Sequence, residues 1–341
     1  MTKTRNTYGW EELSDDELLQ VRIRDLKLQI PGSCMEPFVE SLYEELDDKG
    51  ISCHPICYLA DEWLTPDKIP TIGIPFCLAH LRLRQLEQKI MYEIEGGSDA
   101  VCMKLLRHEC GHALNYTYQL YRRTRWRETF GPFSAPYSSS YSYQPYSRRF
   151  VINLEDNYAQ SHPDEDFAET FAVWLTPDSR WGQKYRDWPV IRKLHYVDHV
   201  MQSIADKPPA VICKKQPPYS AARMTSTLAT HYERKRRVLG SEFQGYYDDS
   251  LKELFTTAHA GNSSMKASRL LRASRTRFVN NVTRWTGHRK FDIRQLLNRL
   301  AARCDALGLY AKAADEENMI GLTALLTAIA SNTLTVSRKR R

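Results

Sequence analysis

Residues Leu105–Tyr118 read LLRHECGHALNYTY and hold His108, Glu109 and His112 in the spacing H-E-x-x-H. On a helix, residues four apart lie one above the other. His108 and His112 can therefore aim two imidazole nitrogens at one cation, with the Glu109 carboxylate beside them. That is the pattern of a zinc ion held by two histidines, with a glutamate as general base on a zinc-bound water. Wound at about 100° per residue, Val101, Leu105, Glu109, His112 and Tyr116 fall on the His108 side, and Cys102, Leu106, Ala113 and Leu120 continue it. Lys104, Arg107, Gly111, Asn115 and Arg122 share a narrow polar stripe. The histidines thus lie on a buried face. The competing reading is two core histidines flanking a salt-bridged glutamate, but three such groups in one apolar wall are costly without a shared ligand.

A three-ligand site needs one more protein ligand. A metzincin would have Gly at position 115 and His at 118, where this chain has Asn115 and Tyr118. The third ligand must come from further along, and the best stretch is Asn157–Leu175, NYAQSHPDEDFAETFAVWL. Ser161, with Pro163 in the first turn and Asp164 three residues on, reads as a helix start. Glu165 and Glu169 then share one helical face among Phe167, Ala168, Phe171, Ala172 and Leu175. Carboxylates among so many apolar residues need partners. Zinc for Glu165, and the far N–H of a ligating histidine for Glu169, would satisfy both. An ordinary helix with one acidic edge is the alternative.

H-E-C-G-H followed by E-D-F-A-E-T-F resembles the gluzincin metallopeptidases. It is most similar to a bacterial family of zinc-binding metallopeptidases, and also resembles the catalytic domain of anthrax lethal factor around the zinc site. The resemblance spans roughly residues 50–205. It implies Glu165 as the third zinc ligand, Glu169 as a group orienting a ligating histidine from behind, and Tyr158 as a transition-state stabiliser. Helix geometry offers Tyr116 as a second transition-state contact. Some members of that bacterial family carry an N-terminal zinc ribbon, and no paired C-x-x-C knuckles occur here.

Outward from the motif, Ser14 with Asp15, Asp16 and Glu17 starts a helix predicted over 11–30, stopped by Pro31-Gly32. A second helix covers about 35–48. Ile51–Leu59 and Thr71–Phe76 read as strands, the latter as a sheet edge open to an extended substrate because Gly73 and Pro75 suit an edge. Leu81–Glu95 is helical or extended, and the zinc helix begins near Ser98 or Asp99. Cys53-x-x-x-Cys57 lacks a second pair, so buried thiols are favoured over a second metal. Residues 134–146 are rich in Ser and Tyr, with Tyr137, Tyr141, Tyr143 and Tyr146, and read equally as a mobile loop or a substrate-facing lid. Trp181–Asp187 and Pro189–Ser203 look like closing helices.

Lys207-Pro-Pro and Gln216-Pro-Pro mark a linker. Residues 209–341 hold 24 Lys and Arg against 10 Asp and Glu, whereas residues 1–208 carry a net −7. Apolar periodicity there predicts helices near 219–239, 246–260, 263–286, 291–308 and 312–333. The basic surface could bind nucleic acid or an acidic partner, the solvated-surface reading being favoured. The organisation expected is an N-terminal helical segment, 1–50, a metallopeptidase domain, 51–206, a linker, 207–218, a basic helical domain, 219–335, and a basic tail, 336–341. The fold class expected is α+β, a mainly helical zincin-like domain with a small sheet plus a C-terminal all-α bundle. No 18-residue apolar run occurs, the N-terminus lacks a signal-peptide core, and eight scattered cysteines suit a reducing cytoplasm. The function expected is one-zinc peptide hydrolysis with Glu109 as base, by an endopeptidase, since no G-x-M-E-N exopeptidase signature precedes the motif. A non-catalytic zinc scaffold and a nucleic-acid-tethered protease are the alternatives.

Overall fold

The computed structural model describes residues 8–91, 94–137, 144, 146–154, 157–213, 217–239, 247–257, 264–312 and 316–333. Tyr141, Tyr143, Gln216 and the 336–341 tail lie outside the described residues. The described residues fall into two units, one up to Ile90 and from Ile94 to His231, the other from Tyr232 onward together with Met91. No helix among the described residues is long and apolar enough to cross a membrane.

The first unit comprises α1 (Asp15–Gln20), α2 (Glu36–Asp48), β1 (Ile56–Ala60), β2 (Thr71–Pro75), α3 (Leu81–Met91), α4 (Asp99–Thr117), α5 (Thr124–Phe130), α6 (Pro163–Leu175), α7 (Trp181–Lys184), α8 (Ile191–Gln202) and the start of α9 (Leu228–Leu239). Ser14 caps α1 in a full capping box with Glu17. The predicted helix over 11–30 stops early, however, because Val21 turns extended and the chain pairs with residues 224–228 instead. Ile23 N–H bonds Ser226 O, and Leu228 N–H bonds Val21 O, at 3.0 Å each.

α4 carries the H-E-x-x-H motif and packs against α6, β2 and α2. It is buried on every side from Leu105 to Thr117. The middle of the stripe read as polar, Arg107, Gly111 and Asn115, is therefore interior, whereas Lys104 and Arg122 at its ends are exposed. Arg107 forks onto both carboxylate oxygens of Glu45 at 2.6 and 2.7 Å, and Asn115 is fully buried. Val101, placed on the buried side, is exposed instead, one turn before the covered stretch begins. Gly111 sets the spacing of α4 and α6, since a Cβ there would meet Ala168 Cα at 3.0 Å and the Phe171 ring at 3.1 Å. α6 begins one residue later than expected, capped by the His162 ring rather than by Ser161.

β1 and β2 pair in parallel, from Ile56 opposite Thr71 to Ala60 opposite Pro75. β2 is not the open edge expected of it. All five residues are buried, and its other side bridges Leu64, with Gly73 N–H on Leu64 O at 2.7 Å. A Cβ at Gly73 would overlap Leu64 Cδ2, so the glycine serves a close strand approach rather than an edge.

The second unit contains the rest of α9, then α10 (Asp248–Leu254), β3 (Ser264–Lys266), α11 (Ala267–Ala273), α12 (Arg275–Thr286), α13 (Lys290–Ala306), β4 (Tyr310–Lys312) and α14 (Glu316–Thr333). Leu251, Phe278, Ile293, Leu300, Leu322 and Leu326 belong to its core. It is not all-α, because β3 and β4 form a short antiparallel pair. The helix expected over 263–286 is broken at its start by β3 and again at Ser274. The molecule as a whole is α+β and mainly helical, its only sheets among the described residues being these two-stranded pairs.

Candidate metal centre

Facing helices bring His108 and His112 on α4 against Glu165 on α6, all three side chains nearly inaccessible to water. His108 Nε2, His112 Nε2 and Glu165 Oε2 form a triangle with every side 3.1 Å. The far nitrogens define the tautomers. His108 Nδ1 lies 2.8 Å from Glu169 Oε1, and His112 Nδ1 lies 3.1 Å from Asp164 Oδ2. An ionised carboxylate only accepts, so His108 Nδ1 carries the hydrogen and its Nε2 presents a lone pair, and the Asp164 carboxylate beside His112 Nδ1 favours the same tautomer there. Two lone pairs and a carboxylate oxygen thus converge on one buried point.

Such a triangle repels itself unless a positive charge fills it. In the protein alone, a proton takes that role. Burial works against a charged His108 imidazole, yet its hydrogen bonds to Glu165 and Glu169 prevail and raise its pKa to about 10. A divalent cation meets the same demand. Zinc ligands at about 2.0–2.1 Å in a tetrahedron stand roughly 3.3–3.4 Å from one another, close to the spacing here. Two imidazoles and one carboxylate are also a donor set that zinc accepts. The residues fit the ion.

The supports behind the histidines are saturated. Glu169 accepts from Asn153 Nδ2 and the Leu154 N–H at 2.9 Å each, besides His108. Asp164 accepts from Asn115 Nδ2 at 2.8 Å and from the Tyr116 hydroxyl at 2.7 Å, and its Oδ2 stands 3.1 Å from His112 Nδ1. Tyr116 therefore donates to the carboxylate behind His112, and its position gives no support to a transition-state contact. Tyr158, on a short 3-10 turn, has its ring 5.7 Å from that of His108. Glu109 is buried, its carbonyl bonded by the Thr65 hydroxyl at 3.0 Å, and its Oε2 has no hydrogen-bond partner among the described residues. The three successive acids of α6 go to three different partners, Asp166 pairing with Lys193.

Two participants escape a sequence reading. Asp164 passes for a helix-cap residue, and only the facing helix reveals that it backs His112. Its one signal is an acid beyond Glu165 and Glu169 in a helix rich in apolar residues. The other is Tyr137, whose hydroxyl donates to Glu165 Oε1 at 3.0 Å while its ring stacks on His162 at 3.7 Å. His162 in turn bonds Ala135 O. The start of the tyrosine-rich stretch is thereby tied to Glu165.

Residues 102–178 match the family described as "Putative zinc-binding metallo-peptidase". The match covers well under half the chain but runs from α4 through α6 and includes all three clustered residues. No curated protein and no solved structure matches the chain. These comparisons give no support to the likeness to anthrax lethal factor.

Proposed function

We propose that the protein is a zinc-dependent endopeptidase of the gluzincin arrangement, with His108, His112 and Glu165 holding one zinc ion. The observation that carries this reading is the 3.1 Å triangle of two histidine lone pairs and one carboxylate oxygen, with the unengaged Glu109 Oε2 close by in sequence and burial. Bound there, zinc supplies a Lewis acid that polarises a carbonyl and brings the pKa of water toward neutrality. Glu109 takes the proton of the attacking water and returns it to the leaving amine. Tyr158 donates to the oxygen on which negative charge develops. Glu169 and Asp164 keep the two rings turned inward throughout. The substrate is a protein or peptide. The eight free cysteines support a reducing cytoplasm as its compartment.

Elemental mass spectrometry on protein purified without added zinc tests the site. One zinc per chain is expected, strongly depleted in Glu165→Ala. Glu109→Gln should keep its zinc and lose peptide hydrolysis by about a hundredfold or more. Full zinc in Glu165→Ala would move the third ligand elsewhere. Zinc in the parent without hydrolysis of any peptide in a broad library would make the centre a structural scaffold.

A further inference from the structure

α12 turns an unusual face outward. Between Met265 and Phe291 the chain has eight lysines and arginines and no acid. The apolar side of α12 is spent on its own core, through Phe278, Val279 and Val282. Its other side exposes Arg277, Asn280, Asn281, Arg284 and Trp285. Trp285 is 77% exposed, which is far from the rule for an indole. The Arg284 guanidinium lies over its ring at 5.3 Å. Neither Arg277 nor Arg284 has an ion-pair partner among the described residues, unlike Arg272 and Arg303, which pair with Asp305 and Asp248. The two free arginines stand two turns apart, roughly 10 Å along the axis. Beside Arg277 a groove of about 420 Å³ opens between α12 and α14. Arg277 and Asn281 form one wall and Met319 and Ile320 the other, and Glu316 is its one carboxylate.

We propose that this face binds single-stranded nucleic acid. The free arginines would hold backbone phosphates, and the Trp285 indole, with Arg284 on it, would stack on an unpaired base. The Asn280 and Asn281 amides can both donate to and accept from base edges. The groove can receive a neighbouring base against its apolar wall. Duplex is disfavoured, because its bases are already stacked and offer no face to an indole. An anionic membrane is disfavoured too. A membrane-surface helix keeps an apolar face for the lipid, whereas α12 has buried its own and leaves one indole among polar neighbours. This proposal is independent of the zinc reading.

The test uses the full chain and labelled single strands of DNA and of RNA, read by fluorescence anisotropy over a salt series. Duplex of the same sequence and phosphatidylserine vesicles serve as competitors. Expected are binding to at least one strand type that weakens with salt, preference over duplex, and a loss of about tenfold or more in Trp285→Ala. Arg277→Ala with Arg284→Ala should flatten the salt dependence. Both positions are exposed, so circular dichroism should match the parent. The DNA and RNA arms distinguish the two sources of the same chemistry through the 2′-hydroxyl. No binding at low salt, equal or better binding of duplex, displacement by vesicles, or indifference to Trp285→Ala would each overturn the proposal.

Discussion

At the scale of residues, each histidine of the cluster has one carboxylate behind it, Glu169 at His108 and Asp164 at His112. Asp164→Asn keeps the volume but offers His112 Nδ1 an amide that can present either a donor or an acceptor, which frees the ring tautomer. Zinc affinity should fall by about 10–100-fold, read by competition with a chromogenic chelator. Tyr137→Phe preserves the stack on His162 and removes the hydrogen bond to Glu165 Oε1. Affinity should weaken there by about tenfold, with the fold unchanged; an unaltered affinity would show that Tyr137 does not hold the ligand. His108, Glu109 and His112 were legible in the sequence because helical periodicity alone puts them together. Glu165 and Glu169 were legible as carboxylates needing partners. Their partners, the metal position for Glu165 and a histidine's far nitrogen for Glu169, were legible too; which histidine Glu169 meets, and that Asp164 faces the other, were not, since successive acids on a helix diverge by about 100° and only the facing helix selects among them.

Among elements, the α4–α6 contact governs the centre, because its ligands come from both helices. Gly111→Ala should lower stability by about 1–2 kcal/mol, overpacking against the Ala168 backbone outweighing the gain in helix propensity. A urea denaturation midpoint at fixed slope reads the change, and a stabilised variant would mean that α6 can retreat. The limits of pattern reading also belong here. Burial of α4 on all sides hid behind its polar stripe, because Arg107 and Asn115 find partners inside, in Glu45 and Asp164. The early end of α1 follows from pairing with residues some two hundred positions away, which no local window contains. The glycine and proline of β2 suggested an edge, where the structure uses the glycine to admit Leu64.

For the whole molecule, the change in charge near residue 208 was legible, whereas the division between units falls later, inside α9. In the second unit, burial lowers the His288 pKa below its ordinary 6.5, against a hydrogen bond at the Ala330 backbone. The unfolded chain then binds a proton that the folded one refuses, so this contribution is whole above pH 6.5 and is lost as pH falls through the folded value. Urea midpoints of the full chain should drop more steeply on acidification below 6.5 than those of His288→Gln; parallel slopes would remove His288 as the cause.

The return of residues 218–228 to the N-terminal half has a practical consequence for dissecting the chain. Pro218 O accepts the Tyr58 hydroxyl, Ser220 bridges Ala60, Thr227 bridges Arg22, and Leu228 is fully buried. A gene truncated at the proline-rich stretch would strip those main-chain partners from β1 and from the segment after α1, leaving sticky strand edges prone to aggregation. Expression of the half that holds the His-His-Glu cluster therefore has to carry the start of α9 with it.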